Sequence, residues 1–260
     1  MLTIKDAVAV ITGGASGIGL AMAKYWAQNG GKLVLGDVAE EPLEKACREI
    51  EGEVASVVCN VTREADCARL AETAIERFGG IHLVAPFAGI IKDGLMLNIN
   101  REGKVAGKMS LENFQQVIDI NLTGVFLTVR ECAEQMINHN CKGLICLISS
   151  TGSLGTAGQI NYSSTKAAMS VMPKVITAEF FRRKVADRLR CLAIAPGYVG
   201  TPMVKNMPQK VLDKVIEQIP IGRLVEPEEV AAFIGELYRN EALAGDVFFI
   251  HGGLRLGSKG

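Results

Sequence analysis

The stretch "VAVITGGASGIGLAMA", residues 8–23, decides the fold. An apolar, β-branched run ends in a glycine-containing turn, and a segment with helical periodicity follows it. Gly13, Gly17 and Gly19 lie in the turn, where glycine permits a tight bend and lets backbone N–H groups approach a pyrophosphate. The positive end of the following helix then faces that anion. The stretch predicts a strand, a dinucleotide-binding turn and a helix, with a plain strand–helix turn as the alternative.

An acidic residue at the end of the next apolar run extends this interpretation. Asp37 ends "KLVLGD", and a carboxylate there can accept hydrogen bonds from the hydroxyls of an adenosine ribose. The same charge would repel the additional phosphate of NADP, whose sites usually supply a basic residue. Ser16 and Val38 are not basic. We therefore expect NAD rather than NADP, the alternative being a solvated aspartate before a helix.

Short apolar runs alternate with helix-period segments along the whole chain, residues 1–260. The near-continuous apolarity of the runs is typical of strands buried on both faces of a parallel sheet. The alternation, without a repeat or linker, predicts a single α/β domain with a doubly wound sheet. The predicted strands are 7–12, 32–37, 54–60, 81–87, 143–149, 189–196 and 246–252. The predicted helices are 17–30, 41–51, 63–78, 110–137, 161–184 and 227–239.

One segment, residues 91–109, shows neither the periodicity of a helix nor that of a strand. It is polar and contains glycine, so we interpret it as a long surface loop with possible hairpin character.

Composition narrows the class of protein and its partners. The chain has 260 residues, 48% of them hydrophobic, and a formal net charge of zero, which gives no reason to expect nucleic acid or a membrane surface as partner. The N-terminal stretch lacks the features of a signal peptide, and no run approaches the roughly 20 apolar residues of a membrane span. The seven cysteines are scattered and form no metal-binding spacing. We expect a cytoplasmic protein without a metal.

Further motifs identify the chain as similar to the short-chain dehydrogenase/reductase family, and most like its β-ketoacyl-carrier-protein reductase branch. The resemblance covers about residues 5–255 and implies a Rossmann fold. The motifs are Thr-Gly-x-x-x-Gly-x-Gly from Thr12, "NLTGVF" from Asn121, "ISS" from Ile148, "YSSTK" from Tyr162, "PGYVGTPM" from Pro196 and "IGRLVEPEEVA" from Ile221.

Tyr162 and Lys166 are the expected acid–base pair. They are four residues apart and share a helix face. A free phenol has a pKa of about 10, and a neighbouring ammonium should lower it towards working pH. The pair could then exchange a proton with an alcohol or carbonyl oxygen while a nicotinamide carries the hydride. The resemblance implies that Lys166 also binds the nicotinamide ribose.

Two adjacent serines compete for the role of hydrogen-bonding the substrate oxygen. Ser149 lies thirteen residues before Tyr162, the commoner separation in the family. Ser150 is the second of the pair, and the second usually carries the role in relatives, so we favour it. The two side chains should point to opposite faces because strand residues alternate.

The resemblance assigns further roles around the cofactor. Asn121 is expected to hold, through its backbone, a water leading to Lys166, the alternative being a buried structural amide. Thr201 is expected to bind the nicotinamide carboxamide, and residues 203–216 to form a lid over the substrate. The other expected cofactor contacts are Ile18, Asn60, Val61, Ala88, Gly89, Pro196, Gly197 and Val199.

Three positions depart from the family pattern. Relatives carry two asparagines where this chain has Pro86 and Phe87, and usually aspartate where it has Asn60. Phenylalanine offers no hydrogen bond, and proline lacks an N–H, so Pro86 should lie at a strand end. The oxygen of Asn60 could still accept a bond from the adenine amino group. We expect altered cofactor binding but intact proton-transfer groups.

These features predict hydride transfer between a nicotinamide cofactor and a secondary alcohol or ketone, a 3-oxoacyl thioester being one candidate. The alternative is a dinucleotide-binding scaffold or sensor without catalysis. The resemblance also implies a homotetramer.

Overall fold

The computed structural model describes residues 1–254, and within them seven parallel strands form one sheet. All seven predicted strands are present. Two more strands, β5 and β6, pair only with each other, antiparallel, and form a hairpin. The strands are β1 (Val8–Thr12), β2 (Lys32–Asp37), β3 (Val54–Val58), β4 (Leu83–Pro86), β5 (Leu97–Ile99), β6 (Val105–Lys108), β7 (Gly143–Ile148), β8 (Leu189–Pro196) and β9 (Val247–Ile250).

Helices cover both faces of the sheet, as expected for the doubly wound fold. They are α1 (Gly17–Gln28), α2 (Glu40–Glu49), α3 (Glu64–Phe78), α4 (Leu111–Ile118), α5 (Gly124–Asn138), α6 (Ile160–Arg182), α7 (Pro202–Lys205), α8 (Gln209–Ile216) and α9 (Pro227–Arg239). None of the helices within residues 1–254 is both long and apolar enough to cross a membrane.

Strand order places a crevice at the carboxyl edge of the sheet. The order is β3-β2-β1-β4-β7-β8-β9. The chain therefore adds β2 and β3 on one side of β1, and then β4 and the later strands on the other side of β1. In open α/β sheets, ligands bind at this reversal, beyond the carboxyl ends of the strands. The glycine turn follows β1, and the stretch with Pro86 and Phe87 ends β4, so both lie at the reversal.

Alternating strand residues divide the apolar core between the two faces. Ala9 and Ile11 of β1 belong to the cluster under α1 and α9, which includes the fully buried Trp26. Val8 and Val10 belong to the opposite cluster, under α3, α5 and α6. Burial on both faces explains why the strand sequences are apolar at nearly every position.

The predicted helix over 110–137 is interrupted in the structure. A π-helical turn, Asp119–Thr123, separates α4 from α5, and it contains the buried Asn121. The segment 203–216 contains two short helices, α7 and α8. The hairpin of β5 and β6 lies within 91–109.

Arg190 of β8 stabilises the end of α9. Its guanidinium, 7% exposed, donates hydrogen bonds to the carbonyl oxygens of Tyr238 at 2.7 Å, Leu243 at 2.8 Å, Asn240 at 2.9 Å and Leu237 at 3.3 Å. The last carbonyls of a helix lack intrahelical partners, so a buried arginine satisfies several of them together.

Candidate active site

The glycine turn after β1 has the geometry that only glycine permits. Gly13 and Gly17 have φ angles of 67° and 55°, in the left-handed region. A Cβ on Gly19 would lie 2.2 Å from the carbonyl oxygen of Gly13, so α1 starts directly against the turn. A Cβ on Gly17 would lie 3.5 Å from Cγ2 of Thr201, which brings the turn and the residues after β8 together.

The N-terminus of α1 is suited to binding an anion. Ser16 is the exposed N-cap residue, and its side chain makes no capping hydrogen bond. The first turn, with Gly17, Ile18 and Gly19, holds no acidic side chain. The backbone N–H groups of this turn and the positive end of the helix are therefore directed at the crevice without a competing carboxylate. These residues would bind the pyrophosphate of a dinucleotide.

Asp37 lies at the end of β2, beside the glycine turn. Its two carboxylate oxygens accept hydrogen bonds from the backbone N–H groups of Ala15 and Ala39, both at 3.2 Å. Val38 is 68% exposed. The carboxylate is thus fixed at the crevice beside the glycine turn.

The stretch that departs from the family pattern ends β4 against the glycine turn. Pairing with β7 extends only to Val84, so the missing N–H of Pro86 costs no ladder bond. Phe87 donates its N–H to the carbonyl oxygen of Thr12 at 3.0 Å, and its ring packs against the core cluster under α1. A Cβ on Gly13 would lie 2.7 Å from the nitrogen of Ala88. The backbone keeps its close approach to the turn despite the altered side chains.

Asn60 differs from its expected role. Its side-chain oxygen accepts hydrogen bonds from the N–H and hydroxyl groups of Thr62, at 3.1 and 2.8 Å. Both lone pairs of this oxygen are therefore used within the turn. The amide NH₂ remains as the group that could face an adenine, and it matches a ring nitrogen rather than the amino group. Val61, the next residue, is buried.

Asn121 holds the segment that follows Ala88 and Gly89. Its side-chain oxygen accepts from the N–H of Ile90, and its NH₂ donates to the carbonyl oxygen of Ile90, both at 2.8 Å. The side chain is fully buried within the π-helical turn. The side-chain amide therefore has a structural role, and the expected role of the Asn121 backbone towards Lys166 stays a prediction. π-Helical turns are frequent at functional sites.

The two serines at the end of β7 point to opposite sides. The Ser149 hydroxyl is buried and donates to the carbonyl oxygen of Lys166 at 2.8 Å, with Ser170 Oγ at 2.9 Å. Ser150 is half-buried, and its Oγ accepts from the N–H of Gly152 at 3.0 Å. The side chain of Ser150 also lowers the pKa of the Tyr162 phenol, opposing the effect of burial. Only Ser150 therefore faces the tyrosine.

Gly152 lies where three side chains of the site converge. Ser150 Oγ, Tyr162 Cε1 and Gln159 Oε1 lie 3.3, 3.4 and 3.5 Å from the position that a Cβ on Gly152 would occupy. Gly152 is itself buried, so a side chain at this position would lie directly against the serine and the tyrosine.

The expectation that Lys166 lowers the pKa of Tyr162 is wrong for this structure. Burial raises the pKa of the phenol above its ordinary value of 10.0, and the charge of Asp93 raises it further. Lys166 Nζ donates to the carbonyl oxygen of Ile148 at 2.8 Å and lies 5.5 Å from the centre of the tyrosine ring. The ammonium is thus directed at the backbone, beneath the ring.

Lys166 itself is almost completely enclosed. Burial lowers its pKa from 10.5 to about 8, because the low-dielectric interior penalises the charged form. Lysine without a carboxylate partner is rarely buried to this extent. The placement indicates a site that needs a weakly solvated ammonium close to the tyrosine.

The segment after β8 closes the other side of the crevice. β8 ends at Pro196, and a Cβ on Gly197 would lie 2.8 Å from Cβ of His251, so only glycine fits. Val199 is buried and forms a parallel bridge with Val225. Thr201 precedes α7 and adjoins Gly17.

The apolar side chains of the predicted lid are largely used for packing. Leu212, Val215 and Ile216 of α8 join a small cluster with Ile219 and Leu224. These contacts are with other residues of the chain, and the role of residues 203–216 as a lid stays a prediction.

Sequence reasoning missed Asp93 and Gln159. Gln159 Nε2 donates to Asp93 Oδ2 at 3.0 Å, and Gln159 immediately precedes α6. Gln159 lies three residues before Tyr162, and this short spacing could have indicated from the sequence that the two side chains lie close together. Asp93 lies in an aperiodic loop, where no pattern connects it to a tyrosine 69 residues later.

The glycine turn, the acid at the end of β2 and the buried tyrosine–lysine pair define a class of protein. A Rossmann-type fold holds a dinucleotide beside an acid–base site, an arrangement suited to hydride transfer.

Comparison with known proteins gives the family. Residues 7–212 match the short chain dehydrogenase family, and the chain belongs to it. The family binds nicotinamide cofactors, and its members are oxidoreductases.

Relatives span nearly the whole chain. The chain is 33% identical over 258 residues to the 3-oxoacyl-(acyl-carrier-protein) reductase of Thermotoga maritima, covering 97% of this chain and 99% of that protein. It is 35% identical over 260 residues to the 3-hydroxyacyl-CoA dehydrogenase type-2 of Drosophila melanogaster, with coverage of 97% and 99%. A solved short-chain dehydrogenase/reductase from Brucella melitensis superposes with a TM-score of 0.86 at 26% identity, covering 97% of this chain and 98% of that one.

Proposed function

We propose that this protein transfers a hydride between a nicotinamide cofactor and a secondary alcohol or ketone. What supports the proposal is the arrangement around Gly152, where Ser150 Oγ and Tyr162 Cε1 lie within 3.4 Å of one point and Lys166 lies buried beneath the ring. We place the substrate oxygen beside this serine and tyrosine. The bound cofactor would supply or accept the hydride. The chain supplies the proton and the groups that orient the substrate oxygen.

Ser150 is prepared to donate a hydrogen bond. Its oxygen already accepts from the N–H of Gly152, so its own hydrogen is directed towards Tyr162 or a substrate oxygen. A donor aimed at that oxygen stabilises the negative charge that develops on it during hydride transfer to a ketone.

Tyr162 is suited to act as the acid in ketone reduction. Because burial and Asp93 raise the pKa of its phenol, the tyrosine holds its proton near neutral pH. Alcohol oxidation needs the phenolate as base. Oxidation should therefore increase with pH more steeply than reduction, and the pH profiles of both directions measure this.

The enzyme proposal is tested with a panel of ketones, including acetoacetyl thioesters, and NADH. Turnover that Tyr162→Phe abolishes is the expected result. Turnover unchanged in that variant would contradict the assignment of the acid. The names of the Thermotoga and Drosophila relatives support 3-oxoacyl or 3-hydroxyacyl thioesters as the first substrates to examine.

We also propose that NAD is the preferred cofactor. The support is the carboxylate of Asp37, fixed at the end of β2, and the absence of a basic side chain at Ser16 and Val38. Titration with NADH and NADPH tests this preference. Tighter binding of NADPH by tenfold, about 1.4 kcal/mol, would contradict it.

A second candidate is a dinucleotide-binding scaffold or sensor. Pro86, Phe87 and the occupied oxygen of Asn60 favour it, because they alter the cofactor side of the crevice. Cofactor binding without turnover on any member of the panel would support this candidate over the enzyme.

Two further expectations concern residues 203–216 and assembly. We propose that α7 and α8 cover the bound substrate and that four chains assemble, with the helices over 110–137 and 161–184 pairing across a two-fold axis. Sedimentation of a monomer would contradict the assembly.

A further inference from the structure

We propose that Asp93, held by Gln159, is a specificity-determining residue whose carboxylate lies behind the Gln159 amide, close to Tyr162, and favours uncharged ketones over anionic ones. The inference rests on the proposed function and adds the substrate class.

The first step is the connection between the loop and the start of α6. The N–H of Gly94 donates to the carbonyl oxygen of Gly158 at 2.8 Å, and Asn161 Nδ2 donates to the carbonyl oxygen of Lys92 at 2.9 Å. Asp93 lies between these two backbone contacts. These two contacts therefore hold Asp93 beside the residues immediately before Tyr162.

The second step is the orientation of Gln159. Its NH₂ donates to Asp93, so its oxygen is directed the other way. That oxygen lies 3.5 Å from the Cβ position of Gly152, which Ser150 and Tyr162 also border. The proposed position of the substrate oxygen thus has beside it a hydrogen-bond acceptor with a carboxylate behind it.

The third step is electrostatic. Asp93 is exposed, and its charge raises the pKa of Tyr162, so its field extends to the phenol. The charged groups around the phenol are Lys166, directed at the backbone from beneath, and Asp93, at the outer side. A substrate carboxylate beside the ketone would meet the negative charge and the amide oxygen together. Two like charges several ångströms apart near a protein surface repel enough to change a rate about threefold or more.

The variant that isolates this charge is Asp93→Asn, which keeps an oxygen for the Gln159 hydrogen bond. The matched control is Asp187→Asn, which removes one exposed carboxylate just before β8. Asp187 thus lies at the amino ends of the strands, away from the crevice at their carboxyl ends. The substrates are acetoacetate and its ethyl ester, which carry the same ketone with and without a charge.

We expect Asp93→Asn to raise kcat/KM for acetoacetate relative to the ester about threefold or more, with no such change in Asp187→Asn. A ratio unchanged in Asp93→Asn, or changed equally in the control, overturns the proposal. A failure of the proposed function looks different, because the unmodified chain would then reduce neither substrate.

A second measurement needs neither turnover nor cofactor. Ultraviolet titration reports ionisation of Tyr162 as the difference between each chain and its Tyr162→Phe variant. Asp93→Asn should ionise at lower pH than the unmodified chain, and Asp187→Asn should not. Equal midpoints for Asp93→Asn and the unmodified chain mean that the carboxylate does not lie close enough to act on the phenol, which overturns the proposal.

Discussion

Replacing Lys166 by methionine should make the chain lose a specific pH dependence of its stability. Burial lowers the pKa of Lys166 from 10.5 to about 8. Below about pH 8 the lysine is charged in both the folded and the unfolded chain, and folding bears the full cost of burying the charge. Between that pH and about 10.5 the folded lysine is neutral while the unfolded one is still protonated. Folding then releases a proton, and stability rises with pH.

The size of the effect follows from the same values. Each pH unit within the interval contributes up to about 1.4 kcal/mol, so the unmodified chain should gain about 1 kcal/mol per subunit between about pH 7 and about pH 9, relative to Lys166→Met. Loss of the bond to Ile148 also changes stability, but the part of that change that depends on pH is already contained in the pKa of Lys166, and the rest cancels in the comparison.

Urea unfolding of both chains at the two pH values, at one protein concentration, measures this difference. Lys174→Met is the control, because Lys174 is exposed on the same helix and bears no burial cost. A difference between the unmodified chain and Lys166→Met that is the same at both pH values would refute the reasoning. Lys166→Met should also abolish turnover, since it removes the ammonium beside Tyr162.

Five other substitutions test separate parts of the site and the fold. Ser150→Ala should lower kcat about a hundredfold or more, whereas Ser149→Ala should cost about 1–2 kcal/mol of stability and leave most turnover; the reverse pattern in kinetics and urea unfolding would show the roles exchanged. Asp37→Ala should weaken NADH binding about tenfold and reduce the discrimination against NADPH, as measured by titration. Gly152→Ala should preserve unfolding midpoints but raise KM, because its methyl lies against Ser150 and Tyr162, where we place the substrate oxygen; an unchanged KM contradicts that placement. Arg190→Met should lower the free energy of unfolding by about 3 kcal/mol, and a loss below about 1 kcal/mol would mean that its carbonyl partners find other donors.

Much of the fold and the centre of the site could be predicted before the structure. Strands buried on both faces are apolar throughout, so Val8–Thr12 and its parallel partners are visible as runs. The backbone at Gly13 has a positive φ, which favours glycine, so the residue type itself indicates the turn. Tyr162 and Lys166 share a face because helical spacing puts them there.

What the sequence by itself determined depends on short-range spacing: strand runs, the glycine turn, the acid at the end of β2, and the tyrosine–lysine pair. What only the tertiary structure decided depends on contacts between segments far apart in the chain. The pKa of Tyr162 is raised rather than lowered because enclosure and Asp93 outweigh the effect of Ser150, while the ammonium of Lys166 is bonded to Ile148. The side of the strand on which each serine lies, and the direction in which Lys166 points, likewise follow from packing of α6 against the sheet. Charge, burial and hydrogen bonding act through space, so a linear pattern identifies the groups but not the environment that sets their chemistry.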